Sequence, residues 1–180
     1  TPDECQRLAR SGAVAGLCPT TEANLGDGLF DAPRYLQQGG HIAVGTDSNV
    51  GVDPFAELRL FEYGQRLTHR RRNLLAPAGA SVGGTLLRAA LSGGAQAAAQ
   101  PTSHIAVGQR ADLVVLDGSD PNLCGRVGDA IADGAIFGPA SATELVTDVF
   151  VAGRPVLIDR QHAHAPAARA AYTRTLARLL

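Results

Sequence analysis

The sequence contains no lysine, no methionine and no tryptophan, and only 4% of its 180 residues are aromatic. All 16 basic residues are therefore arginine, which removes Schiff-base catalysis, a P-loop lysine and a lysine general base from the available chemistry. Without methionine the chain cannot begin at its own start codon, and it is expected to be a piece of something longer. Cysteine is scarce: Cys5, Cys18 and Cys124 form no CxxC pair and are expected to be buried free thiols in a reducing cytoplasm. An excess of cations is missing too. The net charge is −1, which excludes the clustered positive surface that phosphate neutralisation needs. No apolar run approaches the ~20 residues of a membrane span, and no signal-peptide pattern opens the sequence. Neither nucleic acid nor membrane is expected as a partner. With 45% hydrophobic and 18% charged residues, the composition is that of an ordinary globular protein.

What is present reads first as alternating helix and strand. Thr1 can cap a helix, Pro2 suits its first position and Glu4 completes a capping box, predicting a helix that ends at Ser11-Gly12. Residues 13–18 are a short, continuous apolar run of the kind found in parallel strands covered on both faces. Residues 19–28 read as a polar loop, residues 32–38 as a short helix, and residues 42–45 as a second buried strand. Pro54 opens a long helix to about Asn73, with Phe55, Leu58, Phe61 and Leu67 as its apolar stripe and Glu57, Arg66 and Arg70 as polar positions. Its end, Arg70-Arg71-Arg72, reads as a solvated terminus that complements the helix dipole. Another helix covers residues 85–91 and is followed by Gly93-Gly94. Two strands separated by helix-length connections imply a parallel βαβ arrangement. Beyond residue 100, short β-rich pieces at 105–107, 113–116, 149–151 and 156–158 suggest a small β subdomain, with Gly153-Arg154-Pro155 as a hairpin turn. An Ala- and Arg-rich helix over 166–180 closes the chain.

Candidate chemistry gathers where the strands end. Gly45-Thr46-Asp47-Ser48-Asn49 leaves the second strand at its carboxyl edge, where functional groups collect in parallel α/β proteins. There Asp47 can ligate a cation or take a proton, or it can merely cap the following turn. The loop leaving the first strand brings Thr21, Glu22 and Asn24 to the same edge, where with Ser48 they could shape a polar substrate pocket or form a self-satisfied turn. His162-Ala163-His164 has metal-pair spacing but lies away from these strand ends, with no third ligand nearby, and is expected to be exposed. His41, His69 and His104 are isolated.

Three stretches carry a family resemblance: residues 15–28 ending in Thr-Glu-Ala-Asn-Leu-Gly-Asp-Gly, then Gly45-Thr46-Asp47-Ser48, then Glu57-Leu58-Arg59 with Glu62-Tyr63-Gly64-Gln65-Arg66-Leu67. They resemble the formimidoylglutamate deiminases of the amidohydrolase superfamily. Residues 107–117 and 147–156 resemble that superfamily's return into its small β-sandwich domain. The resemblance implies an α/β fold: the last two strands of a TIM-type metallo-dependent hydrolase barrel with their helices, plus part of the β-sandwich. It divides the chain into barrel units over 1–98, a β-sandwich segment over 99–165 and a terminal helix over 166–180. It also implies one zinc ion, with Asp47 as metal ligand and proton shuttle, a small-molecule substrate, and a cytoplasmic homodimer as the complete enzyme. The family's other metal ligands and substrate-binding arginines would lie before Thr1, where about 270 further residues are expected from the size of a full barrel. The isolated chain is therefore expected to bind zinc poorly and to be inactive. Rival readings are another aminohydrolase of the superfamily acting on a guanine-like or triazine-like ring, a non-catalytic remnant or partner half, and a standalone binding module.

Overall fold

In the computed structural model, which describes residues 1–48, 51–100, 104–138 and 141–180, the capping box forms as expected. Thr1 and Glu4 bond reciprocally at the start of α1 (Pro2–Ser11), and Gly12 stops it in the left-handed conformation. Strand β1 (Val14–Leu17) follows, then α2 (Pro19–Leu25), α3 (Ala32–Gln37) and β2 (His41–Val44). The two strands pair in parallel with Leu17 opposite Val44, so the βαβ expectation holds and both strands end at one edge. Fully buried Tyr35 braces their beginnings, its hydroxyl lying 3.0 Å from the Ala13 carbonyl and 3.1 Å from that of His41.

The expected loop over 19–28 is instead helix α2. Pro19 occupies its first turn, and Gly26 closes it. Its half-buried amino end is held by two carboxylates: Glu22 accepts the Cys18 N–H at 2.7 Å and Glu57 accepts the Thr20 N–H at 2.9 Å. One of these partners lies on a distant helix, so local composition could not reveal the element.

Helix α4 (Pro54–His69) begins where Asp53 caps the Phe55 and Ala56 N–H groups. It ends four residues before the expected Asn73, because Arg70 turns left-handed. Leu67 does not join the apolar stripe: it sits roughly 120° around the helix from Phe61 and is 80% exposed. Polar Glu57, Glu62 and Gln65 take the buried face instead. Each meets backbone. The Gln65 amide donates to the Phe30 carbonyl at 2.9 Å, and Glu62 accepts the Leu74 and Leu75 N–H groups at 3.2 Å and Arg66 at 2.8 Å. The Arg66 guanidinium also lies over the Tyr63 and Phe137 rings.

Helix α5 (Val82–Ala97) runs straight through Gly93-Gly94 rather than stopping before them. Gly93 is a point of close approach: a Cβ there would overlap the Ile42 carbonyl of β2. The core between these elements joins Leu17, Tyr35, Ile42, Leu58, Phe61, Leu86 and Ile136.

After α5 the expected strand over 105–107 is absent, and Ile105 and Val107 are fully solvated. Strand β3 (Leu113–Leu116) is followed by an unexpected helix, α6 (Asp129–Phe137), then a short 3-10 turn, β4 (Val146–Val151), β5 (Arg154–Ile158), β6 (Gln161–His162) and α7 (Ala165–Leu179). The last four strands form an antiparallel sheet in the order β3-β4-β5-β6. The β4–β5 turn falls on Ala152-Gly153, one residue earlier than expected, both with positive φ as a two-residue hairpin requires.

The chain divides into one unit of Thr1–Gln109 with Gly118–Thr143, and another of Arg110–Asp117 with Glu144–Leu180. Residues 99–165 are thus not one body, because α6 packs on α5 and α4 of the first unit. Gly83 and Gly84 permit that approach: a Cβ on either would collide with α6 atoms. Helix α7 has no buried residue, and no helix among the described residues is long and apolar enough to cross a membrane.

Candidate active site

The carboxyl ends of β1 and β2 bring one thiol and three carboxylates together. The Gly45 N–H bonds to the Leu17 carbonyl at 2.9 Å, carrying the parallel pairing past the last paired residues, Leu17 and Val44. Cys18 stands just past β1, its sulfur close to Gly45. Burial pushes its thiol pKa up, and the negative charges of Asp47, Glu22 and Glu57 push it further in the same direction.

These carboxylates are not equivalent. Glu22 and Glu57 are committed to backbone N–H groups of α2, and Glu57 is only 1% exposed. Asp47 is exposed and, among the described residues, its carboxylate makes no hydrogen bond or ion pair. Its φ is +43°, in the left-handed region that Asp visits more readily than most residues, at a cost on the order of 1 kcal/mol.

Thr21 braces that turn. Its hydroxyl donates to the Thr46 carbonyl at 3.1 Å and lies 2.9 Å from the Ser48 hydroxyl, which must then be the donor in that second bond. Thr21 is 3% exposed, Glu22 is half-buried, and Ser48 and Asn24 are exposed, the Asn24 side chain without a hydrogen bond among the described residues. Four of the expected site residues thus share one strand-end cluster, with Asn24 on the solvated side of α2. Asn49, expected in the same turn, lies outside the described residues. Glu57 joins this cluster although by periodicity it reads as an ordinary polar position on α4.

His162 and His164 have ring centroids 5.6 Å apart, but His162 Nδ1 accepts the His164 N–H at 3.2 Å, which engages that nitrogen inside the turn. The cysteines are free as expected but not uniformly buried: Cys5 is buried, Cys18 half-buried and Cys124 exposed, the last on a surface turn after Pro121.

The amidohydrolase family matches residues 1–156. The chain belongs to that family. It is 50% identical to formimidoylglutamate deiminase of Pseudomonas aeruginosa over 99% of its own length. The crystal structure of an amidohydrolase from Brucella melitensis superposes with a TM-score of 0.90 at 39% identity, covering 99% of the chain. An adenosine deaminase from Xanthomonas campestris with bound zinc superposes with a TM-score of 0.79 at 29% identity over 97% of it. The chain spans 39% of the length of each of these three proteins. The expected fold is borne out: this is a partial amidohydrolase, two parallel strands with their helices and a small antiparallel sheet.

A metal implied by the family can be tested against this site. Among the described residues, no three His, Cys, Asp or Glu side chains are placed to hold an ion together. Asp47 suits the part of a single oxygen ligand, being exposed and without a hydrogen bond or ion pair among the described residues, whereas Glu22 and Glu57 are bonded to backbone N–H groups.

Proposed function

We propose that this chain is the carboxyl-terminal part of a zinc-dependent hydrolase that deiminates N-formimidoyl-L-glutamate. Water adds to the formimidoyl carbon, the carbon–nitrogen bond breaks, and N-formyl-L-glutamate and ammonia leave. The observation that carries the reading is the exposed Asp47 carboxylate at the end of β2, which makes no hydrogen bond or ion pair among the described residues. The 50% identity to the Pseudomonas deiminase supports the choice of substrate.

In this reading Asp47 accepts the proton of the attacking water and returns it to the departing nitrogen, the work of a positioned general base and acid. Asp47 would also supply one ligand to a zinc ion, whose chemistry would be to make the attacking water more acidic. Thr21, Glu22 and Ser48 keep the strand-end loop in place, and Asn24, exposed on α2, faces the side from which a polar substrate can approach. The family resemblance further supports a cytoplasmic homodimer as the complete enzyme.

The test is Asp47→Asn in the complete enzyme, with ammonia release from N-formimidoyl-L-glutamate as readout. Loss of the base should lower kcat by about 10²- to 10⁴-fold. Near-normal turnover would remove the role given to Asp47. Release of ammonia from a guanine-like or triazine-like ring, with none from formimidoylglutamate, would favour another aminohydrolase. The isolated 180-residue chain should show no turnover, because β1 and β2 leave open ladder edges and one carboxylate cannot hold zinc.

A further inference from the structure

We infer that Thr21 is a positioning residue for Asp47, acting on both sides of it at once; this rests on the catalytic reading of Asp47 given above. Thr46 and Ser48 are the immediate neighbours of Asp47, and the Thr21 hydroxyl is bonded to each, at 3.1 and 2.9 Å. Those bonds span 25 and 27 residues of sequence and tie the start of α2 to the end of β2. The arrangement brackets Asp47, whose φ of +43° needs outside support.

Two features make the bracket rigid. Thr21 is only 3% exposed, so water competes poorly for its hydroxyl and the two bonds hold a fixed geometry. Helix α2, which carries Thr21, is in turn fixed by buried Glu57 of α4 through the Thr20 N–H at 2.9 Å. A line of contact therefore runs from α4 through α2 to the backbone on either side of Asp47. Burial also separates Thr21 from substrate: a hydroxyl closed off in this way orients another residue rather than touching the reacting atoms. A carboxylate that must both accept and return a proton depends on this orientation, since a displacement of about 1 Å costs on the order of 10² in rate.

The experiment is performed on the complete enzyme with N-formimidoyl-L-glutamate. Thr21→Val keeps the shape and removes the hydroxyl. It should lower kcat about 10- to 100-fold while KM stays within about twofold, and Thr21→Ser should restore most of the loss. In an Asp47→Asn background, Thr21→Val should change the residual rate by less than about twofold, because a residue acting through Asp47 has nothing left to position. Wild-type turnover by Thr21→Val, a loss confined to KM, failure of serine to rescue, or a full additional loss on top of Asp47→Asn would each overturn the assignment. Should Thr21→Val not fold, Ser48→Ala removes one arm of the bracket at an exposed position. It should lower kcat in the same direction by a smaller factor, and an unchanged kcat would overturn the inference. High activity of Asp47→Asn alone would instead refute the catalytic reading of Asp47, a result distinguishable from failure of the Thr21 assignment.

Discussion

Gly93 of α5 lies directly against the main-chain carbonyl of Ile42 in β2, closely enough that a single added carbon would overlap it. Helix and strand meet there backbone to backbone. The adjacent Gly94 has nothing within 4 Å of the same hypothetical carbon.

The two glycines should therefore respond oppositely to alanine. Gly93→Ala forces α5 away from β2 and should destabilise the protein by about 1–3 kcal/mol. Gly94→Ala should stabilise it by about 0.5–1 kcal/mol, the helix preference of alanine over glycine. Thermal unfolding of both variants of the complete enzyme checks this, and equal melting temperatures would refute the close approach.

Glu62 is fully buried and receives three donors, the Leu74 and Leu75 N–H groups and the Arg66 side chain. Glu62→Gln replaces one acceptor oxygen with a donor and leaves Arg66 without its counter-charge. A loss of about 3 kcal/mol is expected, typical of breaking a buried ion pair from one side. Denaturant unfolding measures it, and a midpoint equal to wild type would show that the network is dispensable.

Cys18 offers a reading of the site that does not depend on turnover. Burial first, then the charges of Asp47, Glu22 and Glu57, raise its pKa, so the reactive thiolate appears at higher pH than for an ordinary thiol. The pH at which iodoacetamide labels Cys18, followed by mass spectrometry, should lie above that of a free cysteine. Asp47→Asn removes one of the negative charges and should move that midpoint down. An unmoved midpoint would place the Asp47 carboxylate too far from the end of β1.

Much of the first unit was legible because its signals are local. Thr1 and Glu4 cap α1 within a single turn, and the apolar runs of β1 and β2 announce strands by composition. The place of Asp47 at the strand-end edge was legible because strand ends in parallel α/β proteins are where polar groups collect. Elements fixed by distant partners were not. Helix α2 depends on Glu57 of α4, and the letters of residues 19–28 look like a loop without it. Helix α6 carries Gly134 among apolar residues, and its seat on α5 is set by distant partners: Ala132 and Asp133 lie against Gly83, whose N–H Asp133 accepts at 2.7 Å, and Asp129 lies against Gly84. Glu57 reads as an ordinary polar position, yet it is buried, like Glu62 and Gln65, because a backbone group elsewhere needs it. The bracket on Asp47 was hidden for the same reason: nothing near residue 21 in the sequence points to residues 46 and 48.

The excursion of Gly118–Thr143 out of the four-stranded sheet has a practical corollary for dissecting the protein. Neighbouring strands β3 and β4 flank that excursion, so no single cut releases the sheet as a continuous piece. A truncation starting at Arg110 would drag α6 out of its seat and strand Ala135 and Ile136 in water. Anyone wishing to express the sheet separately would have to delete the intervening segment and splice Asp117 to Glu144 with a short linker.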